Sequence, residues 1–108
     1  MTVQLPAPLD IYFTSENAHD PGGIDRCFAP NATVRDEKRT IAGRAAIRNW
    51  RTETGERYRH TVEPLAWDER DGKIIVTARI SGQFPGSPIN LDHIFVVEAG
   101  MIESLEIR

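Results

Sequence analysis

The chain has 108 residues, which makes one domain and not two. Its 40% apolar and 27% charged content are those of a soluble globular protein, and no apolar run approaches membrane-spanning length. A formal net charge of -3 without a basic stripe argues against a nucleic-acid binder.

The opening segment M-T-V-Q-L-P-A-P lacks a basic stretch followed by an apolar core, so no signal peptide is expected. Leu5, Leu9, Tyr12 and Phe13 then form the stripe of an amphipathic helix, with Pro6 and Pro8 suited to its first turn. This helix should fade by Asn17 to His19. Asp20-Pro21 reads as an N-cap followed by proline at the first helical position. The short second helix buries Ile24, Cys27 and Phe28, and Pro30 ends it. Cys27 has no second cysteine to pair with, which makes a reducing cytoplasm the expected setting.

Ala32 to Asp36 reads as a strand, followed by a charged turn and a stub at Arg39 to Ile41. A third helix runs from Arg44 to about Thr54, with Ala46, Ile47 and Trp50 on one face and Gly55 as its C-terminal cap. From there the pattern changes to strands. Tyr58 to Trp67 contains Pro64, which suggests an edge or a bulge. Asp71-Gly72 is a tight turn, Lys73 to Phe84 is rich in β-branched residues, and Pro85 to Pro88 is a second turn. Ile89 to Val97 and Met101 to Ile107 complete the set, joined at Ala99-Gly100. Helices followed by an antiparallel meander give an α+β fold, with three N-terminal helices on the concave face of a curved, mostly antiparallel sheet. Such an arrangement leaves a cone-shaped cavity in a single domain spanning 1–108.

Three side chains could carry chemistry. Tyr12 lies on the core stripe, where its hydroxyl needs a partner. Asp36 shares strand parity with Ala32 and Val34, so it points inward if they do, and desolvation would make it a stronger base. Asp92 interrupts the apolar strand I-N-L-D-H-I-F-V-V, where a buried carboxyl is costly unless paired or protonated. Parity leaves two choices for that strand. Either Leu91, His93, Phe95 and Val97 face the cavity, or Asn90, Asp92, Ile94 and Val96 do. Pairing across the 85–88 turn brings Ser81 and Arg79 near Asp92 and Ile94, so Arg79 and Ile94 join the lining in the second case. Ile24, Phe28, Ile47, Trp50 and Tyr58 are the other expected wall residues. His60 and His93 are further acid-base candidates. Scattered histidines and one cysteine give no metal-ligand spacing, and there is no glycine-rich phosphate loop.

Y-F-T-S-E-N-A-H-D at 12–20, A-T-V-R-D at 32–36, G-R-A-A-I-R at 43–48 and L-D-H-I-F at 91–95 together resemble the nuclear transport factor two-like superfamily. Within it, the chain is similar to the branch holding ketosteroid isomerases and SnoaL-type polyketide cyclases. The resemblance implies a cystatin-like cone and a cofactor-independent proton shift next to the carbonyl of a small apolar molecule. It implies Asp36 as base, with Tyr12 and a protonated Asp92 donating to the developing enolate oxygen. A non-catalytic dimeric module binding an apolar ligand or a protein is the alternative. A third possibility is a hydrolase built on Asp36, Asp92 and Arg79. A homodimer is expected through an outer sheet face carrying Leu91, Phe95 and Val97.

Overall fold

The computed structural model describes residues 3–108. Two short helices come first: α1 (Leu9–Asn17) and α2 (Gly23–Cys27). Strands β1 (Phe28–Asp36) and β2 (Arg39–Ala42) lead into α3 (Arg44–Tyr58). The chain closes with β3 (Thr61–Arg70), β4 (Lys73–Ser81), β5 (Ile89–Glu98) and β6 (Met101–Ile107). One six-stranded sheet holds the order β2-β1-β6-β5-β4-β3, and only the β1–β6 pair is parallel. No described helix is long and apolar enough to cross a membrane.

The elements fall where the pattern put them, with instructive shifts at their ends. Pro8 caps α1 instead of entering it, which leaves Leu5 in the preceding segment, half-buried against the core. Phe28 opens β1 and does not close α2. The strand continues through Pro30 because the β1–β6 register shifts between Phe28 and Thr33, and such an irregularity tolerates a residue without an N–H. Helix α3 runs a turn past Gly55, and Arg59, at φ 46°, supplies the left-handed cap. Strand β4 ends at Ser81 because Gly82 passes too close to the end of α3 for a side chain. A Cβ at Gly82 would lie 2.7 Å from the Tyr58 carbonyl oxygen.

The core lies between the helices and the concave face of the sheet. Tyr12 and Phe13 from α1 meet Phe28 from β1 and Phe95 from β5, with edge-on ring contacts of 4.9 to 5.9 Å. Ile24, Phe28 and Ile47, expected to line a cavity, are fully buried members of this packed core.

The register of β5 settles its parity. Phe95 sits opposite Ile74 on β4 and Leu105 on β6, and both Phe95 and Leu105 are buried on the concave side. Leu91, His93 and Phe95 therefore face inward, and Asn90, Asp92, Ile94 and Val96 face outward. The expected pairing across the 85–88 turn, Ser81 and Arg79 with Asp92 and Ile94, is also corrected, by four residues. Thr77 is opposite Asp92, and Arg79 is opposite Asn90.

Candidate active site

A cavity of about 440 Å³ opens between α1, α3, the end of β1 and the β4–β5 segment. One wall is apolar and includes Ile80, Ile89 and Leu91, with Phe84 from the loop. The lining also includes Glu16, Asp36, Glu37, Trp50 and Tyr58, together with His60 and His93.

Asp36 reaches this cavity because Ala32, Val34 and Asp36 share one face of β1, and Ala32 and Val34 are fully buried. The Trp50 indole N–H donates to Asp36 Oδ2 at 3.0 Å. Trp50 thus orients the carboxylate as well as walling the cavity. Burial pushes the Asp36 carboxyl above its ordinary value, and the neighbouring Glu37 and Glu16 charges push the same way. The Trp50 bond and Arg39 oppose them without winning.

Tyr12 is fully buried, and its hydroxyl has no hydrogen-bond partner. Burial, reinforced by Glu16, lifts its phenol well above the usual range, so the hydroxyl stays protonated. It does not line the cavity. It stands behind His93, with ring centroids 6.2 Å apart, and carries the Arg51 guanidinium 4.8 Å from its ring centroid.

Asp92 is corrected. It is exposed on the outer face, where it accepts a hydrogen bond from Thr77 Oγ1 at 2.9 Å. Strand parity forces this outcome: the apolar set Leu91, His93 and Phe95 goes inside, and the carboxyl avoids desolvation. Arg79 lies on the same outer face, paired with Glu63 at 3.2 Å, and Ile94 faces outward opposite Ile75. Neither lines the cavity. The hydrolase arrangement of Asp36, Asp92 and Arg79 is therefore split across the sheet. Leu91 and Phe95 are likewise inner residues, so they cannot form the outer patch assigned to them.

The sequence pattern gave Glu16 no role, although it follows Tyr12 by four positions and so shares its helix face. Its Oε2 lies 2.6 Å from His60 Nε2, inside the fold. Burial opposes ionisation of Glu16, but the His60 bond and the Arg51 guanidinium bring its carboxyl below the ordinary value. His93 is 1% exposed, and its Nδ1 has no partner. Burial lowers its pKa, which leaves a neutral ring facing the cavity. Cys27 is a core thiol, pushed up to about 11 by burial.

An α+β cone with an inward-facing carboxylate at its cavity defines a class of small cavity-bearing domains. The chain belongs to the SnoaL-like family, whose domain model matches residues 10–104. It shares the nuclear transport factor two-like, cystatin-like fold. A candidate polyketide cyclase from Sinorhizobium meliloti is 35% identical, with a TM-score of 0.92 over 96% of this chain and 95% of that one. A hypothetical protein of ketosteroid isomerase-like fold from Catenulispora acidiphila, solved with trimethylamine, is 17% identical at a TM-score of 0.83, covering 97% and 86%. The epoxide hydrolase/cyclase-like enzyme SalBIII of salinomycin pyran formation is 24% identical at 0.77, covering 92% and 84%. The latter two likenesses establish the fold alone. No curated protein matches the chain.

Proposed function

We propose that the protein shifts a proton next to the carbonyl of a small, largely apolar molecule, with Asp36 as the base. One observation carries this reading. Asp36 sits in the cavity with its affinity for a proton raised and, among the described residues, no ion pair to a cation, and the Trp50 N–H fixes its orientation. A carboxylate of this kind is better matched to carbon acids than one exposed to water.

Asp36 takes a proton from the carbon beside the carbonyl, and the electron pair moves into an enolate. The neutral His93 ring, facing the same cavity, donates a hydrogen bond to the developing oxygen charge. Tyr12, protonated behind it, adds its dipole. Donors already in place in a dry site stabilise that charge more than they stabilise the ground state. Asp36 then returns the proton to the same carbon or to one further along the conjugated chain. His93 thus takes the donor role first assigned to Asp92.

Ultraviolet absorbance of β,γ-unsaturated ketones, a ketosteroid among them, tests the reading through the conjugation that appears on isomerisation. Asp36→Asn should lose roughly 10²–10⁴-fold of the rate, the usual contribution of a positioned base. Equal rates in wild type and variant would refute the role. The second reading, a non-catalytic ligand-binding module, is favoured by one observation: the second acid, Asp92, lies outside the cavity. Ligand binding without turnover of any ketone in the panel would support it.

The homodimer is proposed again with different residues. Ile75, Ile94 and Val96 are half-buried on the outer face, and Ile75 and Ile94 pair across β4 and β5. Sedimentation at micromolar concentration should give a dimer mass that Ile94→Asp reduces to that of a monomer. A monomeric wild type would end this proposal.

A further inference from the structure

We propose that the cavity selects an organic cation, an amine-bearing or quaternary ammonium molecule, held by Glu16, Asp36 and Glu37 with the faces of Trp50, Tyr58 and Phe84. This names the substrate class of the cavity proposed above. It rests on that cavity being the ligand site, and not on the reaction.

The charge of the lining carries the argument. Among the described residues, the cavity wall contains three carboxylates and no lysine or arginine. Asp36 is hydrogen-bonded by an indole and Glu37 by the Tyr58 phenol at 2.9 Å, and both donors are neutral. Among the described residues, Arg39 and Arg57 are instead paired with Glu53, at 3.4 and 3.8 Å. Glu37 and Glu16 each repel the Asp36 carboxylate, although Glu16 is itself held by His60 at 2.6 Å. A monocation among them relieves that repulsion, whereas an anion adds to it.

The aromatic groups fit the same ligand. Tyr58 and Phe84 meet edge to face with centroids 5.8 Å apart, and Trp50 stands on the α3 side of the cavity. The Arg57 guanidinium lies 5.7 Å from the Tyr58 ring centroid, so this ring already serves as a cation acceptor. Cations at about 6 Å or less from such faces are attracted by the ring quadrupole.

His93 supplies the independent sign of a ligand. It is 1% exposed, its ring lines the cavity, and its Nδ1 is unpartnered. A buried polar atom left unpaired marks where a polar group of the ligand belongs. An ammonium among the carboxylates and a polar oxygen at His93 meet both demands. The apolar wall of Ile80, Ile89 and Leu91 takes the carbon skeleton.

Three probes of one shape test this by titration calorimetry on the whole chain: phenyltrimethylammonium, its neutral isostere tert-butylbenzene, and benzenesulfonate. At low salt the cation should bind about tenfold or more tightly than the neutral probe, as a partly desolvated cation–aromatic site with nearby carboxylates requires. The sulfonate should bind most weakly. Glu37→Gln, a change at an exposed position that spares the core, should weaken the cation and leave tert-butylbenzene unaffected. Equal affinity for cation and isostere, preference for the sulfonate, or no saturable cation binding at millimolar concentration would each overturn the inference. A protein that prefers the cation but moves no proton keeps this inference and loses the reaction. One that moves protons but binds all three probes alike does the reverse.

Discussion

The two faces of the sheet are one backbone read at alternate residues, and they hold opposite chemistry. Inside, β5 presents Leu91, His93 and Phe95, while β1 brings Ala32, Val34 and Asp36. Outside, β5 presents Asn90, Asp92, Ile94 and Val96, with Thr77 and Arg79 beside them on β4. Both faces carry an aspartate. The inner one meets an indole donor and partial desolvation, and the outer one meets a threonine hydroxyl and water. The same residue type therefore holds its proton more tightly in one setting and is ordinary surface in the other. Strand parity makes the difference, and parity is set by which set of neighbours is more apolar.

The largest expected effect is structural. Phe95→Ala should cost about 3–5 kcal/mol in urea denaturation, because its fully buried ring leaves a cavity among Tyr12, Phe13 and Leu105. Ile94→Ala, one position along and facing outward, should cost roughly 1 kcal/mol. Equal costs would remove the inside–outside distinction. Next comes His93→Gln, which keeps an amide near the oxygen but loses the imidazole geometry. The proton-shift rate should fall about 10–1,000-fold, the scale of a lost oxyanion donor. An unchanged rate would remove His93 from the proposed mechanism.

A smaller effect links the site to stability. Asp36 has a raised pKa in the fold, so the protonated form is the one that the fold favours. Its contribution to stability is complete below the carboxyl's unfolded value and is lost as pH rises through the folded one. Asp36→Asn keeps the shape without the charge. It should raise stability at neutral pH by roughly 1 kcal/mol, with the gain shrinking as the medium is acidified below the carboxylate range. Thermal denaturation at several pH values reads this directly, and a destabilised variant at neutral pH would contradict it.

Much of the architecture was legible because periodicity is local. The stripe Leu9, Tyr12, Phe13 specified α1, the Asp71-Gly72 and Ala99-Gly100 pairs specified two hairpin turns, and the strand order of the meander followed. Asp36 was readable because its neighbours Ala32 and Val34 gave an unambiguous parity. Asp92 was not, because both faces of β5 carry apolar residues and the choice depends on pairing with Leu105 and Ile74, far away in sequence. The extent of the 82–88 loop shifted the register by four residues, which moved Arg79 as well. Glu16 was invisible for a related reason. Its partner His60 lies 44 positions away, and nothing local announces the contact.

The central claim is that the inner aspartate does the chemistry and the outer one does not. Deuterium uptake at the carbon beside the carbonyl of a small ketone, followed by proton NMR in heavy water, compares them in one assay without needing the natural substrate. Asp36→Asn should lose roughly 10²–10⁴-fold of the enzyme-dependent exchange, while Asp92→Asn stays at the wild-type rate. Exchange that survives in Asp36→Asn, or collapses in Asp92→Asn, would place the base elsewhere.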